Sequence, residues 1–468
     1  MARSITEEEK QYVQTLLQRA REAMKAIEDY DQQTVDRLCQ AIGWAAGNEK
    51  TFTRIARRGV EESGLGDWDG RPNRRFKILG VLRDALRQKS VGIIEEIPEK
   101  GIVKYAKPAG VIASLIPTTN PDITPPGCAI YAMKCKDAVI FSPHPRSKNA
   151  TFEMISVLRK ALKKQGVPED VFQCIENPTI PMAKELMAVC DMTIATGGPA
   201  MVKSAYSSGK PAYGVGAGNA TMVFDETTDV AEAARNTRIS KTSDNGSGCS
   251  ADGNLVVHES VYDGFLEALQ QEGGYLVSEQ EKEQLKQAMW EEGHRTLDTV
   301  ACPAAKIAAK AGFAIGDDKK FIIVKEDKIG KEHVFSGEKL SPVLAIFKYS
   351  GDFDRALDLL KKIYEVGGKG HSCGIYSFND DHIHQLALTM PVSRIMVRQP
   401  QSKANAGSFN NGMPMTSSMG CGIWGGNITN ENISLKHYMN VTWVSRPIPV
   451  DRPSDEDLFG EFYNSETF

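Results

Sequence analysis

One cysteine, Cys249, lies in the run "KTSDNGSGCSADGN", flanked by Asn245, Gly246, Ser247, Gly248, Ser250 and Asp252. A packing cysteine has apolar neighbours, and this one has small polar ones. A thiol of ordinary pKa is only about 3% ionised at neutral pH, so a nucleophilic role needs assistance. Backbone N–H groups left open by glycine and serine can stabilise a thiolate, and then the oxyanion formed when it attacks a carbonyl. Gly246 and Gly248 leave room for a substrate over the sulfur. An incidental loop cysteine is the competing reading.

A second stretch has the chemistry of a phosphate site. "TIATGGPAMVK" reads as a strand, a turn at Thr196-Gly197-Gly198, and a helix opened by Pro199. Proline at the first helical position costs no hydrogen bond, and the free N–H groups of the helix start can meet an anion. The G-x-G-x-x-G fingerprint is absent at this turn, and the glycines of "YGVGAGN" are weak evidence alone, so an ordinary tight turn is an equal reading. His382 and His384 in "DDHIHQL" read as a surface helix start, with no metal expected. His371 in "GKGHSCGIY" reads as a residue that organises its turn. "GCGIWGGN" reads as a tightly packed turn.

The elements that position these residues change character along the chain. Thr6-x-x-Glu9 is a capping box ahead of apolar residues at helical spacing; further helices span about 31–46 and start again from Glu49. "GDWDGRPNRR" reads as a loop, and a hairpin follows around Glu99-Lys100-Gly101. From Val111 the short apolar strands "VIASLIP", "DAVIFSP", "DMTIATGG" and "ATMVFD" alternate with helices, the signature of a doubly wound parallel sheet. A second αβ series follows residue 226, and the chain ends in a β-rich piece and a Pro/Asp tail.

The whole chain sets further bounds. Its 468 residues, 41% hydrophobic, exceed one core, so two or more domains are expected. With 56 basic against 60 acidic side chains, no nucleic-acid or membrane partner is indicated. No apolar run reaches membrane-spanning length and the N-terminus lacks a signal-peptide pattern. Nine scattered cysteines without C-x-x-C argue against disulfides or zinc and for a cytoplasmic setting.

In order and spacing, "IPTTNP", "FSPHPRSKNAT", "TIATGGPAMVKSAYSSGKPAYGVGAGN", "KTSDNGSGCS", "EKLSPVLAIF", "GKGHSCGIY" and "GCGIWGGN" resemble the CoA-acylating branch of the aldehyde dehydrogenase superfamily, over about residues 5 to 450. The resemblance implies an α/β fold with a Rossmann-like cofactor domain (1–92 with 112–226), an αβ catalytic domain (227–430), and a β-hairpin oligomerisation flap with a tail (93–111 and 431–468). It implies a homodimer or homotetramer that uses NAD or NADP, with a small aldehyde and coenzyme A as substrates. Carried over by position, Cys249 is the nucleophile and Asn120 the oxyanion donor, one residue later than in the "PWNFP" of hydrolytic relatives. Thr196, Gly197 and Gly198 fall at the pyrophosphate turn, and Glu338 at the nicotinamide ribose. Where those relatives contact the adenosine ribose through the lysine of "KPAE" this chain reads "SPHPR", so Ser142, His144 and Arg146 are candidate cofactor or CoA contacts. Gly214 stands where those relatives carry the water-activating glutamate of "ELGGK", so deacylation by CoA is favoured over hydrolysis.

The pocket segments depart from the acetaldehyde-using pattern. Ser243 replaces a phenylalanine, and Arg398 and Gln399 replace an Asn-Thr pair. A fixed guanidinium suits an anion, so the expected substrate is a short anionic aldehyde, with sulfoacetaldehyde first and succinic semialdehyde second. Acetaldehyde and other neutral aldehydes stay open, because Arg398 could instead pair with a carboxylate at a subunit interface. A hydrolytic dehydrogenase using another base, and a non-catalytic nucleotide-binding or redox scaffold, are the remaining readings.

Overall fold

The structure is a computed structural model that describes residues 3–464. Helix Glu7–Ala26 begins at Thr6, where the Thr6 hydroxyl accepts from the Glu9 N–H and the Glu9 carboxylate accepts from the Thr6 N–H. This reciprocal pair satisfies two otherwise orphaned donors. Gln32–Gly47 and Glu49–Ser63 share Asn48, which ends the first helix and caps the second through the Thr51 N–H. Their buried faces, among them Leu38, Ile42, Phe52 and Ile55, pack onto helices Thr124–Cys135 and Lys148–Lys164, which lie between them and the first sheet.

That sheet has five parallel strands: Val111–Leu115, Ala138–Ser142, Phe172–Cys174, Met192–Thr196 and Ala212–Val215. The first four are buried along their whole length, covered by helices on both faces. This is why they read as unbroken apolar runs and not as alternating ones. Numbered along the chain, they lie in the order 3-2-1-4-5. The connections diverge between the first and fourth strands, and a crevice opens beyond the carboxyl ends at such a switch point. "PTTN" leaves the first strand there, and "GGP" leaves the fourth.

The second sheet has seven parallel strands in the order 3-4-5-2-1-6-7. Its first strand, Thr221–Phe224, pairs with Asn254–His258 on one side and Cys373–Tyr376 on the other. The sequence boundary at 226 therefore falls too late, since this apolar strand reads the same in either sheet and only its partners assign it. Residues near the other end also cross over: Met415, Ile433, Leu435 and Tyr438 join the core of the five-stranded unit.

The expected hairpin forms from Gly92–Ile97 and Ile102–Pro108, and Met439–Ser445 pairs antiparallel with its second strand. "GDWDGRPNRR" is more ordered than a loop. It holds the short helical turn Arg71–Arg75, and Arg71 has no solvent-exposed surface. No helix among the described residues is long and apolar enough to cross a membrane.

Candidate active site

The segments entering the amino edge of the seven-stranded sheet meet the carboxyl edge of the five-stranded sheet around a cavity of about 420 Å³. Asn120, Thr196, Gly197, Gly198, Ser243, Cys249 and Glu338 all line it, brought together from segments far apart in sequence.

Cys249 is delivered by an unusual turn. After helix Val230–Thr242, three successive residues adopt positive φ: Asp244 (51°), Asn245 (52°) and Gly246 (67°). Asp and Asn tolerate this region better than other side chains, and glycine is at home in it. A Cβ on Gly246 would lie 2.5 Å from the Ser341 carbonyl oxygen, so close approach also requires glycine there. The Asp244 carboxylate pins the turn. It accepts from the Asp67 N–H (2.8 Å), from Arg71 Nε (3.0 Å) and Nη2 (2.6 Å), from Arg74 Nη1 (3.1 Å) and from the Ser247 hydroxyl (2.6 Å). Burial works against its ionised form, yet Arg71 and Arg74 outweigh that and hold the carboxyl below its ordinary value.

The Cys249 sulfur sits 3.1 Å from His371 Nε2, and His371 Nδ1 is 2.9 Å from the Ser372 hydroxyl. His371 is therefore a partner of the thiol, where the sequence reading gave it only its turn. Burial, then Arg394, pushes its imidazole down to about 3, so it stands neutral. Burial, then the Glu338 charge, pushes the Cys249 thiol up to about 12. At rest the pair is thus an uncharged thiol beside an uncharged imidazole. The signal for His371 in the sequence is its place just ahead of a strand, as Cys249 is just ahead of Asn254–His258.

Arg74 Nη2 also donates to Asn120 Oδ1. A guanidinium cannot accept, so the amide oxygen must face it. The Asn120 Nδ2 donors, which make no hydrogen bond among the described residues, are left for the cavity. Glu338 Oε1 accepts from the Gly218 N–H at 3.1 Å and Oε2 from Arg295 at 3.1 Å. Burial raises its carboxyl above the ordinary value, with Arg295 opposing. Gly218 is tight against the nucleophile, since a Cβ there would run into the Cys249 carbonyl.

The residues of the glycine turn fit a dinucleotide. Helix Pro199–Tyr206 starts at Gly198 with no side-chain cap; Pro199 has no N–H and the Met201 N–H donates to the Gly198 carbonyl at 3.0 Å, so in the first turn the Ala200 N–H is left for an anion. A Cβ on Gly198 would meet nothing within 4 Å, which leaves space beside it. The Thr196 hydroxyl is 2.5 Å from that of Ser418. Of the three candidate cofactor or CoA contacts, only His144 lines the cavity. Arg146 donates to the Ser63 carbonyl at 2.6 Å, and Ser142 is buried at the strand end.

Gly214 stands on the edge strand with its space already filled. A Cβ would lie 2.7 Å from Val202 Cγ1 and 2.9 Å from Tyr206 Cε2. The two carboxylates that line the cavity, Asp244 and Glu338, are both held by arginines.

Arg398 and Gln399 do not reach the cavity, contrary to the sequence expectation. Arg398 Nε and Nη2 donate to Glu232 at 2.9 and 2.8 Å, and the guanidinium lies 3.7 Å above the Phe378 ring. Its partner is thus a carboxylate, but one of the same chain. Gln399 accepts from Asn411 at 3.0 Å. The cavity draws its cations from Arg74, Lys77, Arg295 and Lys403 instead. Nothing in the local sequence marks these four, since their partners lie far away along the chain.

The model of the aldehyde dehydrogenase family matches residues 3–444. The chain is 43% identical to a sulfoacetaldehyde dehydrogenase of an Acholeplasma species, over 95% of this chain and 93% of the relative. It is 41% identical to a sulfoacetaldehyde dehydrogenase (acylating) of Bilophila wadsworthia, over 95% and 97%. The crystal structure of an acetylating aldehyde dehydrogenase from Geobacillus thermoglucosidasius superposes with a TM-score of 0.92 at 34% identity, covering 96% of this chain and 99% of that one.

Removing one partner of a buried ion pair costs about 3–5 kcal/mol. Arg71→Met, which leaves the Asp244 carboxylate short of its most buried partner, is expected to lower the urea midpoint accordingly, whereas Lys163→Met on the surface should leave it unchanged. An Arg71→Met midpoint equal to that of the wild type would show that the Asp244 cluster does not hold the turn.

Proposed function

Because the chain belongs to the aldehyde dehydrogenase family, we propose that it is a CoA-acylating aldehyde dehydrogenase, oxidising a short anionic aldehyde with NAD⁺ or NADP⁺ and passing the acyl group to coenzyme A. Sulfoacetaldehyde is the first substrate and succinic semialdehyde the second, a ranking supported by the names of the relatives at 43% and 41% identity.

The observation that carries acyl transfer over hydrolysis is Gly214. A water-activating carboxylate has neither a side chain nor space there, and losing a positioned base slows attack by water by about 10²–10⁴-fold. A thiol is the better nucleophile towards a thioester, so coenzyme A takes over.

His371 Nε2 accepts the Cys249 proton as the sulfur bonds to the aldehyde carbon, giving a thiohemiacetal. Two charges replace two neutral groups only while the carbonyl oxygen gains electron density, and the Asn120 Nδ2 donors meet that oxygen. A nicotinamide dinucleotide would be held at the Thr196–Gly198 turn, with Glu338 at its ribose, and would supply the hydride acceptor. Hydride loss leaves a thioester on Cys249. His371 gives up the Cys249 proton to solvent and then takes the proton of the coenzyme A thiol; the new thiolate attacks the acyl carbon, and Cys249 departs as a thiolate that takes this proton back from His371. Each turnover releases one acyl-CoA, one reduced cofactor and one proton. The exposed apolar side chains of the C-terminal strand, Val441 and Trp443 among them, support a homodimer or homotetramer joined through the three-stranded flap.

The reading is tested by following reduction of NAD⁺ and NADP⁺ with sulfoacetaldehyde, succinic semialdehyde, acetaldehyde and propionaldehyde, each with and without CoA. Turnover is expected to require CoA, and steady turnover without it would overturn the mechanism. His371→Gln is expected to slow alkylation of Cys249 by iodoacetamide and to lower kcat by about 10²–10⁴-fold; equal rates would remove His371 from the chemistry. The variant also has a signature in stability. The imidazole pKa falls on folding from 6.5 to about 3, so the stability from burying neutral His371 is complete above pH 6.5 and lost as pH falls towards 3. His371→Gln should therefore lose less stability than the wild type over that acid range.

A further inference from the structure

The charges around the cavity are unevenly placed. The wall made by 196–201 and 215–217 carries no ionisable side chain, while Arg74, Lys77 and Lys403 stand together on the wall beside Ser243 and Asn120. Arg71 and Arg74 are matched by two aspartates. Asp244 bonds to both, and Asp122 lies 3.8 Å from Arg74 Nη1. Neither lysine has a carboxylate within ion-pair distance among the described residues. Lys77 is buried and donates to the Ala406 and Gly407 carbonyls at 3.1 and 2.8 Å. Lys403 donates to the Ser243 hydroxyl at 2.7 Å.

Charges withdrawn from water are normally paired. Here burial, followed by repulsion from Lys403 and Arg74, pushes the Lys77 ammonium down to about 7. Burial, followed by Arg74, also lowers Lys403. Donors remain free for a ligand. An ammonium has three N–H bonds, so Lys77 has one left and Lys403 has two. Ser243 accepts from Lys403 with its oxygen, which leaves its own O–H to donate. These groups converge on the same small cavity as Cys249.

We propose that Lys403, Lys77 and Ser243 form the subsite that holds the sulfonate of a short aldehyde, and that they set its preference over neutral aldehydes. Three donors match the three oxygens of a sulfonate, and one negative charge offsets two crowded cations. The role assigned here to Arg398 by sequence passes to Lys403, five residues on. The proposal rests on the reading of Cys249 as the nucleophile of an aldehyde oxidation.

The test uses the full chain and compares kcat/KM for sulfoacetaldehyde and propionaldehyde in wild type, Lys403→Gln and Ser243→Ala, with Lys77→Met added if it folds. A hydrogen bond to a charged group changes affinity by about 10- to 100-fold. The ratio of the two kcat/KM values is expected to fall by about that factor in Lys403→Gln, and Lys403→Arg should recover part of it. Ethanesulfonate, which cannot react, provides a second readout as it should slow iodoacetamide alkylation of Cys249 in the wild type and require about tenfold or more higher concentration in Lys403→Gln. An unchanged ratio with unchanged protection overturns the subsite while leaving acylating catalysis intact. A wild type inactive with every aldehyde and CoA overturns the catalytic reading, and the protection assay then still decides the subsite. A tenfold preference of the wild type for succinic semialdehyde over sulfoacetaldehyde overturns the sulfonate assignment.

Discussion

The Asp244 carboxylate is the constraint on which the site depends. It sits in a turn of three left-handed residues that no regular element would support, and it is fixed there by Arg71 and Arg74 from the helical layer near the N-terminus. Through Arg74 the same anion reaches Asn120, because that guanidinium also binds the Asn120 amide oxygen and so sets which way the amide points. One buried charge thereby couples the turn that carries the thiol to a side chain that lines the same cavity. Two non-glycine residues at positive φ cost of order 1–3 kcal/mol each, and a carboxylate with five donors is an arrangement strong enough to hold them.

Around this anchor the architecture explains why residues so distant in sequence meet. A parallel sheet leaves its carboxyl edge open where its connections diverge, and the five-stranded sheet offers Asn120 and the Thr196–Gly198 turn there. The seven-stranded sheet contributes from its opposite edge. Gly218, Cys249, His371 and Arg394 each lie within a few residues of the start of a strand. The result is a site with different electrostatics on its two sides. Burial keeps the thiol and its imidazole partner uncharged at rest, while two lysines nearby lack a carboxylate partner. A negatively charged ligand relieves that imbalance, whereas a neutral one does not.

The parts legible in the sequence were those governed by local rules. The Thr6–Glu9 cap, the buried parallel strands and the glycine turn ahead of Pro199 follow from spacing and residue type, and the order of seven segments identified the family. The charges were not legible in the same way. Arg71 and Arg74 read as part of a polar loop, because the aspartate that buries them lies about 170 residues on. Arg398 looked like the substrate cation for the same reason: Glu232 and Phe378, which occupy it, are neighbours only in space. Polar residue types alone do not reveal which cation has a protein partner and which is left for a ligand. His371 is hidden likewise, since a turn residue becomes a partner of the thiol only once their two strands lie on either side of Thr221–Phe224 in one sheet.

Space decides the chemistry at two glycines as firmly as charge does elsewhere. At Gly218 a methyl group would strike the backbone of the nucleophile itself, so the chain can pass close under Cys249 only without a side chain. At Gly214 the neighbouring helix has moved into the volume that a glutamate would need: Val202 and Tyr206 fill it, and the Tyr206 hydroxyl bonds the Gly214 backbone at both its N–H and its carbonyl. On the reading proposed above, one substitution at Gly214 would therefore not supply a base. A helix packed for a small residue makes hydrolysis difficult to regain, and on the reading proposed above it leaves the acyl group waiting for a thiol.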